Sequence, residues 1–206
     1  MNHLAHLLLA GDDPALQLGA LLGDHVRGDV AASGHKPLVC TGILLHRRID
    51  GWTDRHALVA QARNLIEPPF RRYAGIMLDV YFDHLLSLHW QRHSELSLAQ
   101  FNLRTLTLLD QHHAMLPPGL QRFHRYASST NVLARYAENG MLEQVFTGIS
   151  RRLSRSNPLA AAVPVLQARH RELQQVFALF WPQLQQLSAH WLSRQPGVHS
   201  NAQRCR

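Results

Sequence analysis

The stretch GILLHRRIDGWTD, residues 42–54, sets His46 and Asp50 four positions apart with Arg47 and Arg48 between them. On a helix that spacing places imidazole and carboxylate on one face, where they hydrogen-bond or share a metal. YAGIMLDVYFDHLLSLHW, residues 73–90, repeats the spacing with Asp79 and Asp83, and His84 follows Asp83 directly. In LGALLGDHVRG, residues 18–28, Asp24 and His25 interrupt an apolar run. An unpaired carboxylate on an apolar stripe is costly to bury, so each of these acids needs a partner. For Asp24 a bland partner is an ion pair with Arg27 or Arg47. His6, in HLAHLLLA, reads by itself as a core histidine, and His25, His89 and His93 read as ordinary helix residues. Each motif taken singly fits a solvated or structural pair. Four consecutive helices that each bring a histidine or an acid into apolar surroundings suggest a shared site. Imidazole with carboxylate, and no thiolate, suits manganese, iron, magnesium or zinc in a catalytic setting.

The elements that must position these residues are helical. Apolar spacing follows the 3.6-residue period nearly throughout, with no convincing strand alternation, so the fold class is all-α. Helices are expected over about 2–10, 14–30, 38–52, 71–93, 97–114, 119–127, 130–137, 140–151 and 159–193. The breaks fall at Glu67-Pro68-Pro69, Pro117-Pro118-Gly119 and Ser156-Asn157-Pro158, and Pro164 and Pro182 are expected to start or kink pieces of the last helix. At 206 residues the chain is expected to form one compact helical domain over 1–194, and the tail 195–206 is expected to be disordered.

Composition narrows the function classes. No apolar run approaches the length of a membrane span, and MNHLAHLLLAGDDP lacks the basic segment of a signal peptide, so a cytoplasmic protein is expected. Cys40 and Cys205 are too few for a disulfide framework, and neither sits in a catalytic pattern. The net charge of +7 is lopsided: residues 1–100 carry nine Lys or Arg and ten acids, residues 101–206 twelve and four. Twenty of the 21 cations are arginine, the side chain suited to gripping phosphate or carboxylate with a planar fork. No Gly-rich phosphate loop or Ser-His-Asp pattern is visible.

Taken together, Asn2-His3-Leu4-Ala5-His6-Leu7, Leu21-Leu22-Gly23-Asp24-His25-Val26-Arg27-Gly28, Leu45-His46-Arg47-Arg48-Ile49-Asp50 with Thr53-Asp54, and Leu78-Asp79-Val80 with Asp83-His84-Leu85 resemble the acyl carrier protein phosphodiesterases. Arg135-Tyr136 and Thr147-Gly148-Ile149-Ser150-Arg151-Arg152 look like that family's second-half signature, so the resemblance spans roughly residues 1–190. The chain departs from the family pattern at His3 and His25, where phenylalanine is usual, and at Ala20, where asparagine is frequent.

The resemblance implies an enzyme that removes 4′-phosphopantetheine from holo acyl carrier protein, as an atypical HD-type metal-dependent phosphohydrolase with a rearranged ligand order. It implies a divalent metal, Mn2+ ahead of Mg2+ or Fe2+, held by Asp24, His46, Asp83 and His84. Asp50 and Asp79 would be further ligands or would orient the histidines. Arg47 or Arg48 would meet the phosphate, and His6 would donate a proton to the leaving oxygen. The carrier protein is acidic as a class, so Arg122, Arg125, Arg135, Arg151, Arg152 and Arg155 are expected to steer it, Arg151 and Arg152 foremost. No nucleic acid or membrane partner is expected. The alternatives are an HD-type phosphohydrolase of a nucleotide or other small diester, and a non-enzymatic helical module that binds an acidic partner.

Overall fold

The computed structural model describes residues 2–198, and among these it shows ten α-helices and no strand. They are α1 (His3–Leu9), α2 (Pro14–Leu22), α3 (Pro37–Thr53), α4 (Ala57–Asn64), α5 (Ala74–Leu88), α6 (Leu98–Gln111), α7 (Pro118–Thr130), α8 (Asn139–Arg152), α9 (Ala162–Ala168) and α10 (His170–Leu192). The all-α reading agrees with this. Of the expected tail, residues 199–206 lie outside the described residues.

Local chemistry explains most of the boundaries. The Asp13 carboxylate accepts from the Ala15 and Leu16 amides at 2.8 and 3.3 Å and starts α2, with Pro14 in the first turn where its missing N–H costs nothing. Pro37 and Pro118 start α3 and α7 in the same way. Ser97 and Gln100 form a capping box on α6, and Asn131, left-handed at φ 53°, ends α7.

Four boundaries depart from expectation. α2 stops at Leu22 instead of 30, because residues 23–36 form a loop whose carbonyls are held by a side chain of α3, as described below. The helix expected over 71–93 is α5 flanked by separate 3-10 turns at Arg71–Tyr73 and Trp90–Arg92. Residues 132–137 are turns, although Val132, Leu133 and Tyr136 are buried, so burial rather than helicity produced their apolar spacing. The last helix is interrupted at Arg169 rather than at Pro182, which sits inside α10. α4 was not anticipated: only Val59 and Ala62 are buried along it, too few for a visible period, and the His56 ring caps it by accepting from the Leu58 amide at 3.2 Å.

One core runs from Leu4 to Leu184. Within it, α2 and α3 meet at unusually short range. A Cβ on Gly19 would collide with the Val39 carbonyl oxygen, and one on Gly42 with the Leu16 carbonyl oxygen. Only glycine at both positions lets these two backbones come this close.

Candidate metal centre

His46 lies on α3 one turn beyond Gly42 and faces α2, so the close crossing brings its ring against the C-terminal end of α2. Its Nδ1 donates to the Ala20 carbonyl oxygen at 2.7 Å, which turns Nε2 towards the acids. Nε2 lies 3.2 Å from Asp24 Oδ1 and 3.0 Å from Asp50 Oδ2. From α1, the His6 ring stacks on the His46 ring with centroids 3.8 Å apart and planes at 14°. His6 Nε2 sits 3.0 Å from Asp50 Oδ1, and the buried Nδ1 has no hydrogen-bond partner among the described residues. His6, His46 and Asp50 present ligand atoms within 4.8 Å of one another, the group among the described residues with the geometry to hold a metal ion. Both imidazoles are buried, whereas the side chains of Asp50 and Asp24 are 36% and 62% exposed, so the cluster opens to solvent through its carboxylates.

The electrostatics call for positive charge at this point. Burial opposes charge on His46, but the hydrogen bonds that its Nε2–H donates to Asp24 and Asp50 outweigh it and lift the imidazole to about 9. The hydrogen bond to His46 holds Asp24 down at about 2. Burial works against ionisation of Asp50, and His46 and His6 overcome it, leaving the carboxyl well below its ordinary range. Burial pushes His6 down to about 4, so His6 is a neutral imidazole. A divalent cation that displaced the Nε2 proton of His46 would meet two carboxylates and two imidazoles, a donor set that fits it.

Other expected site residues are placed elsewhere. Asp83 is fully buried on α5, and its Oδ2 and Oδ1 accept from the Leu4 and Ala5 amides at 2.8 and 3.1 Å. It therefore caps the first turn of α1 and is not in the ligand group. His84 turns away as well: its Nδ1 bonds the Tyr136 carbonyl oxygen at 2.8 Å. An adjacent doublet on a helix points in directions about 100° apart, and here neither direction leads to the cluster. Asp79, half-buried one turn before Asp83, is also outside the group, and burial pushes its carboxyl up.

Arg47 is not free for a phosphate. Its Nη1 and Nη2 donate to the Gly28 and Val26 carbonyl oxygens at 2.9 and 2.6 Å, tying down the loop that carries Asp24. Arg48 is exposed, two positions from both His46 and Asp50, which on a helix is the far side from the cluster. His6 is a member of the cluster. Asp24 pairs with His46, not with Arg27 or Arg47.

Gly23 is a site residue that the motif reading passed over. A Cβ there would fall on the His46 ring at Cγ. The signal was present as Gly19 on α2 and Gly23 at its C-terminal cap, opposite Gly42 and His46 on α3, each pair four apart. Gly23→Ala is expected to push the ring off its Ala20 bond and to lower activity about 10²-fold, the usual effect of misplacing a reacting group by an ångström. Steady-state kinetics beside a thermal melt checks this, since simple unfolding would move both.

The acyl carrier protein phosphodiesterase family model matches residues 1–184. A relative from Serratia proteamaculans named acyl carrier protein phosphodiesterase is 36% identical over 187 residues, covering 90% of this chain and 96% of its own. One of the same name from Escherichia coli O6:H1 is 38% identical over 189 residues, covering 89% and 95%, and one from Yersinia pestis is 33% identical over 191, covering 92% and 98%. No solved structure matches. Among the described residues no helix is long and apolar enough to cross a membrane.

Proposed function

The chain belongs to the acyl carrier protein phosphodiesterase family, and on that premise we propose that it hydrolyses holo acyl carrier protein to the apo protein and free 4′-phosphopantetheine. The observation that carries the reading is the buried His6–His46–Asp50 group with Asp24 at its open edge, lying wholly inside the family match.

We propose His6, His46 and Asp50 as the metal-holding residues, with Asp24 completing them from the loop, and Mn2+ ahead of Mg2+ or Fe2+ as the ion. A bound divalent metal supplies hydroxide near neutral pH and withdraws charge from a phosphoryl oxygen. The chain's own part is positional. The Ala20 carbonyl fixes the tautomer and direction of His46, and the Arg47 fork fixes the loop and hence Asp24. The stacked, buried rings keep bulk water from the inner side, so the diester approaches from the carboxylate side. This division between a rigid buried wall and an open edge suits a substrate presented on another protein. The relationship to HD-type phosphohydrolases is part of the same proposal, with two histidines and two acids drawn from α1, α2's loop and α3.

The test is to incubate metal-supplemented protein with holo acyl carrier protein and read by mass spectrometry the loss of the phosphopantetheine arm. No loss of the arm, with turnover of nucleotides instead, would replace this reading with the small-diester one. We further propose that Arg151 and Arg152, at the end of α8 and exposed, help to dock the acidic carrier. Charge reversal at both is expected to lower kcat/KM several-fold at low salt and to flatten its salt dependence, with kcat unchanged. An unaltered salt slope would remove them from the docking surface.

A further inference from the structure

The site as built holds two carboxylates, and its substrate is an anionic diester. A cation is needed near the open edge to bring the two together. Arg47 is committed to two carbonyls and Arg48 faces away, so neither of the arginines next to His46 meets this need.

α7 offers a different one. Gly119, Arg122, Phe123 and Tyr126 follow the spacing of a single helix face. Two members of that face rest against histidines of the site's surroundings. A Cβ on Gly119 would press on Cε1 of His25, the neighbour of Asp24 in sequence. The Phe123 ring lies 4.1 Å, centroid to centroid, from the ring of His3, one turn before His6 on α1. The stretch of α7 between these anchors is therefore pinned beside the Asp24 edge. Arg122 lies in that stretch, exposed, and no hydrogen bond or ion pair engages it among the described residues.

Resting on the phosphodiesterase reading, we infer that Arg122 is the guanidinium that meets the phosphodiester at this site. It supplies a planar fork for two phosphoryl oxygens and offsets the repulsion of Asp24 and Asp50. His25 and His3 act as props, holding the α7 face at the distance from which a long side chain reaches over the open edge.

The test uses the full chain with Mn2+ and two substrates, holo acyl carrier protein and the small diester bis(p-nitrophenyl) phosphate. Arg122→Gln is expected to lower turnover of both about 10²-fold with an unchanged melting temperature, since loss of one donor to a developing phosphoryl charge has that scale. Arg122→Lys should recover part of it, and Arg171→Gln, an equal charge change at the exposed start of α10, should do nothing. Calorimetric affinity of the metal-free protein for 4′-phosphopantetheine should fall with Arg122→Gln as well. A loss confined to the carrier protein would make Arg122 a docking residue, and no loss with either substrate would remove it from the site; each result overturns the inference. If the wild-type protein leaves the carrier protein intact yet hydrolyses the small diester in an Arg122-dependent manner, the substrate reading fails and the assignment of Arg122 stands.

Discussion

Asp50→Asn is expected to lower turnover on the order of 10³-fold, equivalent to about 4 kcal/mol of transition-state stabilisation. Asp50 pairs with both imidazoles, at 3.0 Å in each case. The amide keeps the size of the side chain but removes an anionic oxygen ligand and the carboxylate that lies against both imidazoles. Metal affinity should fall with activity, measured by equilibrium dialysis with Mn2+, whereas the fold should persist because Asp50 is part-exposed and α3 is anchored by Ile43, Leu45 and Ile49, all fully buried. A variant that bound Mn2+ as tightly as the parent would reduce the cluster to an ion pair and remove Asp50 from the proposed ligands.

Asp83→Ala is expected to act through stability instead. Leu4 and Ala5 would lose their acceptors, and a buried amide left unsatisfied costs about 1–3 kcal/mol. A total near 3 kcal/mol corresponds to a fall in melting temperature of about 10 °C in a chain of this size. Burial lifts the Asp83 carboxyl from its ordinary 3.8 to about 7, only partly opposed by the Leu4 amide. The native state thus favours the neutral acid, so its contribution is fully present below the unfolded value and is lost as pH rises through about 7. The deficit of the variant should accordingly be larger at about pH 5 than at about pH 8. Chemical denaturation at the two pH values reads this directly. The opposite pattern, loss of metal affinity with an unchanged unfolding midpoint, would return Asp83 to the ligand set.

The helical fold was legible because amphipathic spacing is a local property, and so were the starts of α2, α3 and α7, where Asp13, Pro37 and Pro118 act on the backbone within one turn of themselves. α4 and the turns at 132–137 were not, because one buries too little to show a period and the other buries its apolar residues without one. In the site, His46 and Asp50 could be paired from spacing alone, since four residues on one helix fix their relation. His6 could not be read in this way. Its place follows from how α1 packs against α2 and α5, and that in turn depends on Asp83 holding the first turn of α1. The same acid that looked like a ligand on a helix face acts at one remove, through backbone amides 78 and 79 residues away. The role of Arg47 was hidden for the same reason: nothing in the spacing distinguishes a guanidinium that meets phosphate from one that closes a loop on two carbonyls.

The glycine-lined crossing of α2 and α3 makes His46 both a core side chain and a reactive one. With Gly19 against Gly42 and Gly23 under the imidazole, the ring has no room to be reoriented while the helices stay docked. Chemical competence is therefore all-or-none in the same sense as the docking itself. A chain that has loosened this pair has no partly assembled centre to fall back on, and one that has closed it needs no later adjustment to aim the histidine. For an enzyme that strips an essential arm from another protein, misfolded copies are then silent rather than indiscriminate.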